Sequence, residues 1–314
     1  MKPDVLMTRP AATDLAGALT RSFTVHKLWE AEDPATFLRE IGPRIRGVAT
    51  DGGAGASAGL MDAMPNLEIV AVNGVGVDAV DLDHARRRGI VVANTPDVLT
   101  EDVADMALLL LLAAAREAVL GDAHVRSGAW EREGNRPLSR RVHGKRAGIL
   151  GLGRIGRAVA RRLEALKVQV AYHNRRPIES AYDYHADPVS LARAVDFLIV
   201  TAAGGAGSRK LVDRDVIDAL GPDGILVNVA RGSVVDQAAL VEALREGRLA
   251  AAGLDVFEDE PRVPEALRNL PNVVLQPHQG SATVDAREAM ADLVVRNLEA
   301  HFAGRLMPTG VDLG

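Results

Sequence analysis

Residues 147 to 160, A-G-I-L-G-L-G-R-I-G-R-A-V-A, constrain this chain more than any other stretch. The apolar run at 148 to 150 reads as a buried strand, and a helical pattern follows the glycines to about residue 167. Gly151 lets the chain turn sharply off the strand, Gly153 keeps a side chain away from a pyrophosphate, and Gly156 lets helix and strand pack closely. The helix start then presents backbone N–H groups and the positive end of its dipole to the phosphates. Glycine-rich turns by themselves are common. The order strand, turn, helix is what predicts a dinucleotide held along Gly151, Leu152, Gly153, Arg154, Ile155 and Gly156.

A second strand, 168 to 173, is expected to end near the adenosine ribose. Enzymes that use NAD usually place an acid there for the ribose 2′-hydroxyl. This chain instead reads Y-H-N-R-R-P at 172 to 177. Asn174, Arg175 and Arg176 suit a 2′-phosphate, which they can hold through charge-assisted hydrogen bonds. The plainer alternative is an arginine pair on a solvated turn. Position after the second strand favours the phosphate, so the expected cofactor is NADP (as NADPH) ahead of NAD.

A chain of 314 residues suggests about two domains. A net charge of −5 argues against nucleic acid or an anionic membrane as partner. With no cysteine, disulfides, thiolate metal sites and a cysteine nucleophile are excluded. The eight histidines show no metal-ligand spacing, so no metal is expected. The first residues, M-K-P-D-V-L-M, read as a short strand without the apolar core of a signal peptide. The longest apolar run, 106 to 115, is too short to span a bilayer. A cytoplasmic protein is expected.

Residues 1 to 98 alternate strand and helix patterns, with strands at 4–7, 46–50, 69–72 and 90–93. Strands separated by helices imply a parallel sheet. From Thr100, a good N-cap, a helix to about residue 120 is apolar almost all round, which predicts burial between domains or between subunits. A polar stretch, 127 to 144, holds Trp130. Strands at 197–201, 224–229, 251–256 and 273–276 continue a second sheet, and a final helix, 283 to 302, should return to the first domain. The expected fold class is α/β, with two Rossmann-like doubly wound parallel-sheet domains and the active site in the cleft between them. The expected division is a flavodoxin-like substrate-binding domain, 1–98 plus 288–314, and an NAD(P)-binding Rossmann domain, 99–287, that includes a dimerisation helix.

Ligands of doubly wound sheets bind beyond the carboxyl ends of the strands. Arg231 follows I-L-V-N-V-A, Glu260 follows A-A-G-L-D-V-F, and His278 follows V-V-L-Q-P. Singly, each has an ordinary explanation as a surface cation, a turn acid or a loop histidine. Together they form a cation, an acid and a titratable base at one sheet edge, the composition that hydride transfer to a 2-oxo acid needs.

Six segments also resemble the D-2-hydroxyacid dehydrogenase family, in its glyoxylate/hydroxypyruvate reductase and hydroxyphenylpyruvate reductase branch. They are V-N-G-V-G-V-D-A-V-D (72–81), N-T-P-D-V-L-T-E-D-V-A-D (94–105), G-L-G-R-I-G, N-V-A-R-G-S-V-V-D (228–236), A-G-L-D-V-F-E-D-E-P (252–261) and P-H-Q-G-S-A-T (277–283). They span nearly the whole chain, in family order.

The resemblance implies that Arg231 holds the substrate carboxylate and polarises the C2 carbonyl, and that His278 gives the proton to that oxygen. It implies that Glu260 bonds His278, favours the imidazolium and raises its pKa, and that the N–H groups of Val75 and Gly76 bind the carboxylate. Asp255 would lie near the nicotinamide, or else simply form a strand-end turn. Thr201, Ala202, Val229, Ala230 and Gly280 would line the cofactor groove. One segment departs from the family: after residue 200 the chain reads T-A-A-G-G-A-G-S where many relatives have P-L-T, so contacts at 201 to 207 are left open. The loop D-G-G-A-G-A at 51 to 56 is expected to help set substrate size. Trp130 either reaches a neighbouring subunit's site, as in some relatives, or is an ordinary interface aromatic.

The leading expectation is an NADPH-dependent reductase of small 2-oxo acids (glyoxylate, hydroxypyruvate) to D-2-hydroxy acids, working as a homodimer. A preference for aryl-pyruvates such as hydroxyphenylpyruvate is one alternative. A dinucleotide-sensing, corepressor-like binding protein is another, disfavoured because Arg231, Glu260 and His278 are all present.

Overall fold

The computed structural model describes residues 2 to 313. The chain divides into two compact units, residues 1–99 with 283–314 and residues 100–282. No helix among the described residues is long and apolar enough to cross a membrane.

The first unit is built on five parallel strands: β1 (Asp4–Met7), β2 (Thr24–Lys27), β3 (Ile45–Asp51), β4 (Ile69–Asn73) and β5 (Val91–Ala93). Their order across the sheet is β2-β1-β3-β4-β5, the flavodoxin-like winding. Both faces are covered, which explains why β3 and β4 are apolar runs rather than alternating strands. One face packs Leu6, Val48, Val70 and Val92 under the helices between strands. The other packs Val5, Ala49, Ile69 and Ala71 against Val294 and Leu298 of the helix Val284–Phe302. That final helix therefore does return to the first unit. Its start is fixed by Thr283, whose hydroxyl accepts from the N–H of Ala286 at 3.1 Å.

The second unit holds seven parallel strands: β6 (Arg146–Leu150), β7 (Gln169–His173), β8 (Asp183–Tyr184), β9 (Phe197–Val200), β10 (Ile225–Asn228), β11 (Ala251–Leu254) and β12 (Val273–Leu275). The order β12-β11-β10-β9-β6-β7-β8 reverses direction between β6 and β9, the switch point at which such sheets open a ligand crevice. β2 and β8 carry no clear strand signal in the sequence. T-V-H-K is a half-exposed edge strand without an apolar run, and β8 is two exposed residues long.

The apolar helix differs from expectation in two ways. It ends at Ala115, and a separate helix runs from Ala118 to Arg126. Between them Glu117 takes a left-handed conformation (φ 51°), paired with Arg136 at 2.6 Å. The freed carbonyl of Ala115 accepts from the N–H of Arg140. The second difference is what buries it: Val103, Ala107, Leu110 and Leu111 are covered within the same unit, where the helix packs on β10, β11 and the helix Arg154–Ala165.

Candidate active site

At the switch point the three glycines do separate mechanical work. Gly151 sits at φ 105°, and a Cβ there would come within 2.6 Å of the Ala202 backbone. A Cβ on Gly156 would lie 2.4 Å from the Gly151 carbonyl, so helix and strand close only around a glycine. At Gly153 a Cβ would meet no protein atom within 4 Å: this backbone is open to an approaching group. The helix Arg154–Ala165 starts there with no side-chain cap, leaving the positive end of its dipole to whatever binds. These features fit a pyrophosphate.

The loop is braced from both neighbouring strands. Thr201, after β9, donates its hydroxyl to the Gly151 carbonyl at 2.8 Å. Asn174, after β7, accepts from the N–H of Leu152 through its side-chain oxygen at 2.7 Å, while the Tyr184 hydroxyl holds its main-chain carbonyl at 3.3 Å. Arg175 and Arg176, next to it, are exposed, and among the described residues neither is engaged in an ion pair. The glycine-rich segment after β9 closes on itself through Ser208, whose hydroxyl donates to the Ala203 carbonyl at 2.7 Å.

Two strands along, the carboxyl ends of β10, β11 and β12 carry the polar residues. Asn228, 1% exposed, accepts from the N–H of Ala230 and donates to the Arg231 carbonyl, each at 3.0 Å. This small clamp shapes the turn through Val229 and Ala230 that presents Arg231, whose guanidinium also donates to the Ala230 carbonyl at 2.7 Å. A Cβ on Gly232 would fall 1.9 Å from the Phe257 carbonyl carbon, so only glycine lets the Arg231 turn lie against the segment that leads to Glu260.

Asp255, 1% exposed, holds the His278 loop in place. Its main-chain carbonyl accepts from the N–H of His278 at 2.8 Å, and its carboxylate oxygens accept from Gln279 at 2.6 Å and Gly280 at 2.8 Å. Burial pushes this carboxyl above the usual aspartate range, against the pull of those two N–H groups. The loop so held puts His278 at φ 55°, with Nδ1 2.7 Å from Glu260 Oε2. Glu260 Oε1 accepts from the N–H of Phe257 at 2.9 Å. Burial pushes the Glu260 carboxyl up, but the hydrogen bonds from His278 and Phe257 and the charges of His278 and Arg231 outweigh it and hold it below its ordinary value. Beside the pair lies a pocket of about 240 Å³, walled largely by Phe257, Pro261, Val263, Leu275 and Pro277.

In the first unit, β4 runs into N-G-V-G. Among the described residues the N–H groups of Val75 and Gly76 have no hydrogen-bond partner, and the Val75 side chain is exposed. The 51–56 loop beside β3 is tied down: Asp51 accepts from the N–H groups of Gly53 at 2.8 Å and Ala54 at 2.7 Å.

A family model described as D-isomer specific 2-hydroxyacid dehydrogenase, NAD binding domain, matches residues 108–280. The chain belongs to this family. Members are oxidoreductases acting on a CH–OH group. The 2-ketogluconate reductase of Gluconobacter oxydans (strain 621H) is 49% identical over 312 residues, 99% of each chain. Glyoxylate/hydroxypyruvate reductase A of Arabidopsis thaliana is 47% identical over 309 residues, 98% of each. Among solved structures, the NADPH-dependent glyoxylate/hydroxypyruvate reductase of Sinorhizobium meliloti, in complex with NADP and malonate, superimposes with a TM-score of 0.94 at 48% identity, covering 100% of this chain and 98% of that one.

Within this dehydrogenase the structure brings Glu260 and His278 into contact and sets Arg231 on the adjoining turn. Three further residues hold backbone groups in ways that the sequence pattern alone does not show. Asn228 ends an otherwise apolar strand, and a polar residue closing I-L-V-N is itself a signal. Asp255, expected beside the nicotinamide or as a turn former, also holds the loop of His278 through its carbonyl and carboxylate. Asn174, expected at the 2′-phosphate, also braces the glycine loop through its side-chain oxygen.

Proposed function

We propose that this dehydrogenase reduces small 2-oxo acids, glyoxylate and hydroxypyruvate foremost, to D-2-hydroxy acids with NADPH. The observation that carries the reading is the Glu260–His278 pair beside the Arg231 turn. When bound, NADPH supplies the hydride to C2. Arg231 holds the carboxylate and draws charge toward the carbonyl oxygen as an alkoxide develops. Since Glu260 occupies Nδ1, the other ring nitrogen, Nε2, is left to face the substrate and give the oxygen its proton. In the reverse direction the same nitrogen removes it. The N–H groups of Val75 and Gly76 bind the carboxylate, a task suited to two donors with no partner of their own. Arg175 and Arg176 hold the ribose 2′-phosphate through charge-assisted bonds, with Thr201, Ala202, Val229, Ala230 and Gly280 lining the groove. The active form is a homodimer.

One observation favours a second reading of the substrate. The apolar pocket against Glu260 and His278 gives room for an aryl side chain, and the hydroxyphenylpyruvate reductase of Plectranthus scutellarioides is 48% identical over 308 residues. Oxidation of NADPH and of NADH by the purified protein, against glyoxylate, hydroxypyruvate, 2-ketogluconate and hydroxyphenylpyruvate, ranks these substrates. Turnover with none of them would overturn the proposal. His278→Asn should lower kcat by at least about a hundredfold, the usual size of an acid–base contribution, with NADPH affinity nearly unchanged. Retained turnover would remove His278 as the proton donor.

A further inference from the structure

The two unpartnered N–H groups of Val75 and Gly76 do not point where they do by chance. Their peptides are trans, so each N–H lies in one plane with the preceding carbonyl and points the opposite way. The carbonyl preceding Val75 is that of Gly74, which accepts from the N–H of Thr95 at 2.9 Å. The carbonyl preceding Gly76 is that of Val75, which accepts from the side-chain amide of Asn94 at 2.8 Å. Pinning both carbonyls toward residues 94 and 95 turns both N–H groups away from them, in register with each other.

Asn94 is itself immobilised. Its carbonyl accepts from the Thr309 hydroxyl at 2.6 Å, and its N–H donates to the Thr309 carbonyl at 3.3 Å. Thr309 is locked in turn by Asn297, only 1% exposed. The Asn297 side chain accepts from the Thr309 N–H at 3.1 Å and donates to the Thr309 hydroxyl at 2.8 Å. A satisfied polar network of this kind, anchored on the buried Asn297 and half-buried toward Asn94, fixes one geometry. It runs from the C-terminal helix through Thr309 and Asn94 to a loop whose own donors stay unpaired.

We propose that Asn94 is a positioning residue for the substrate carboxylate, aiming the N–H of Gly76 by holding the Val75 carbonyl. The proposal rests on the reading of Val75 and Gly76 as carboxylate donors. It predicts a defect confined to the oxo acid. Asn94→Asp keeps the size and the acceptor but cannot donate, and its charge repels the Val75 carbonyl. Asn94→Ala removes the contact.

The test combines steady-state kinetics on hydroxypyruvate at saturating NADPH with amide NMR shifts of Val75 and Gly76 during oxalate titration of the protein–NADPH complex. In the unaltered protein oxalate should move both signals. In either variant, KM and the oxalate dissociation constant should rise roughly ten- to a hundredfold, the range for one hydrogen bond to a charged group. The kcat should change by less than about threefold, because binding common to ground and transition state is what is lost. NADPH affinity should not move. If Asn94→Ala fails to fold, Asn94→Asp carries the test. Unchanged KM and oxalate affinity in the variants, with both signals still moving, would overturn the role of Asn94 alone. Signals that stay still in the unaltered protein would overturn the carboxylate reading beneath it.

Discussion

Glu260 is held on both oxygens, by the Phe257 N–H and by His278, and its carboxyl titrates below the ordinary glutamate value despite burial. A carboxyl whose folded value is depressed stabilises the fold above its unfolded value, and that contribution fades as pH falls through the folded value. Glu260→Gln keeps the shape and removes the charge. The unaltered protein should therefore be the more stable of the two near neutral pH, with the gap closing as pH drops below the ordinary glutamate range, about 4.3. Thermal unfolding of both proteins across pH measures this, and a gap that stays constant to about pH 3 would show that the charge contributes nothing. The same substitution should lower kcat on an oxo acid by roughly tenfold or more, since the ring keeps a neutral acceptor but loses its anionic partner. Asp255 runs the other way: burial raises its carboxyl against the pull of two N–H donors and the charge of the nearby His278.

The ends of β6, β7 and β9 act as one element, because Asn174 and Thr201 tie them to the glycine loop. This separates two kinds of cofactor residue. Asn174→Ala frees the Leu152 N–H and loosens the pyrophosphate loop, so NADPH and NADH should weaken by similar factors, on the order of tenfold. Replacing Arg175 and Arg176 with serine removes only partners of the 2′-phosphate, so NADPH should weaken roughly a hundredfold and NADH little. Fluorescence titration with each nucleotide distinguishes them, and equal losses in the arginine variant would sink the phosphate assignment. The glycine loop was legible in the sequence because its three glycines answer to local sterics that a motif states directly. Arg231, Glu260 and His278 were legible because strand ends in a parallel sheet are where side chains meet ligands. Asn174, Asn228 and Asp255 were legible only as polar residues near those ends. Which backbone group each would satisfy depends on pairings between strands far apart in the chain. The break at Glu117 gave no signal either, since no glycine or proline marks it and the Arg136 that pairs with Glu117 comes from outside the helix.

At the scale of the whole molecule the question is what covers residues 109 to 138. Single exposed apolar side chains are ordinary, but Leu109, Val119, Val125, Trp130 and Leu138 are all exposed here, at 51%, 58%, 57%, 57% and 99%. They are five of the ten exposed large hydrophobic residues described, concentrated in thirty consecutive positions of a 314-residue chain. All five belong to the second unit, on or just after the helices Thr100–Ala115, Ala118–Arg126 and Ala129–Glu133. In the proposed homodimer these side chains would be covered by a second copy about a two-fold axis, which needs no second complementary surface. The apolar character of the helix alone points to it as the dimer interface. In the structure the helix buries most of its apolar side chains within its own unit, and the helices that follow it carry most of the exposed ones. Sedimentation at micromolar concentration should give twice the 33.3 kDa chain mass. Leu109→Asp combined with Leu138→Glu places a charge at each end of this stretch, and burying an unpaired charge costs several kcal/mol, so that variant should sediment as a folded monomer. A monomeric unaltered protein would remove the homodimer. A variant that stays dimeric would move the interface away from this surface.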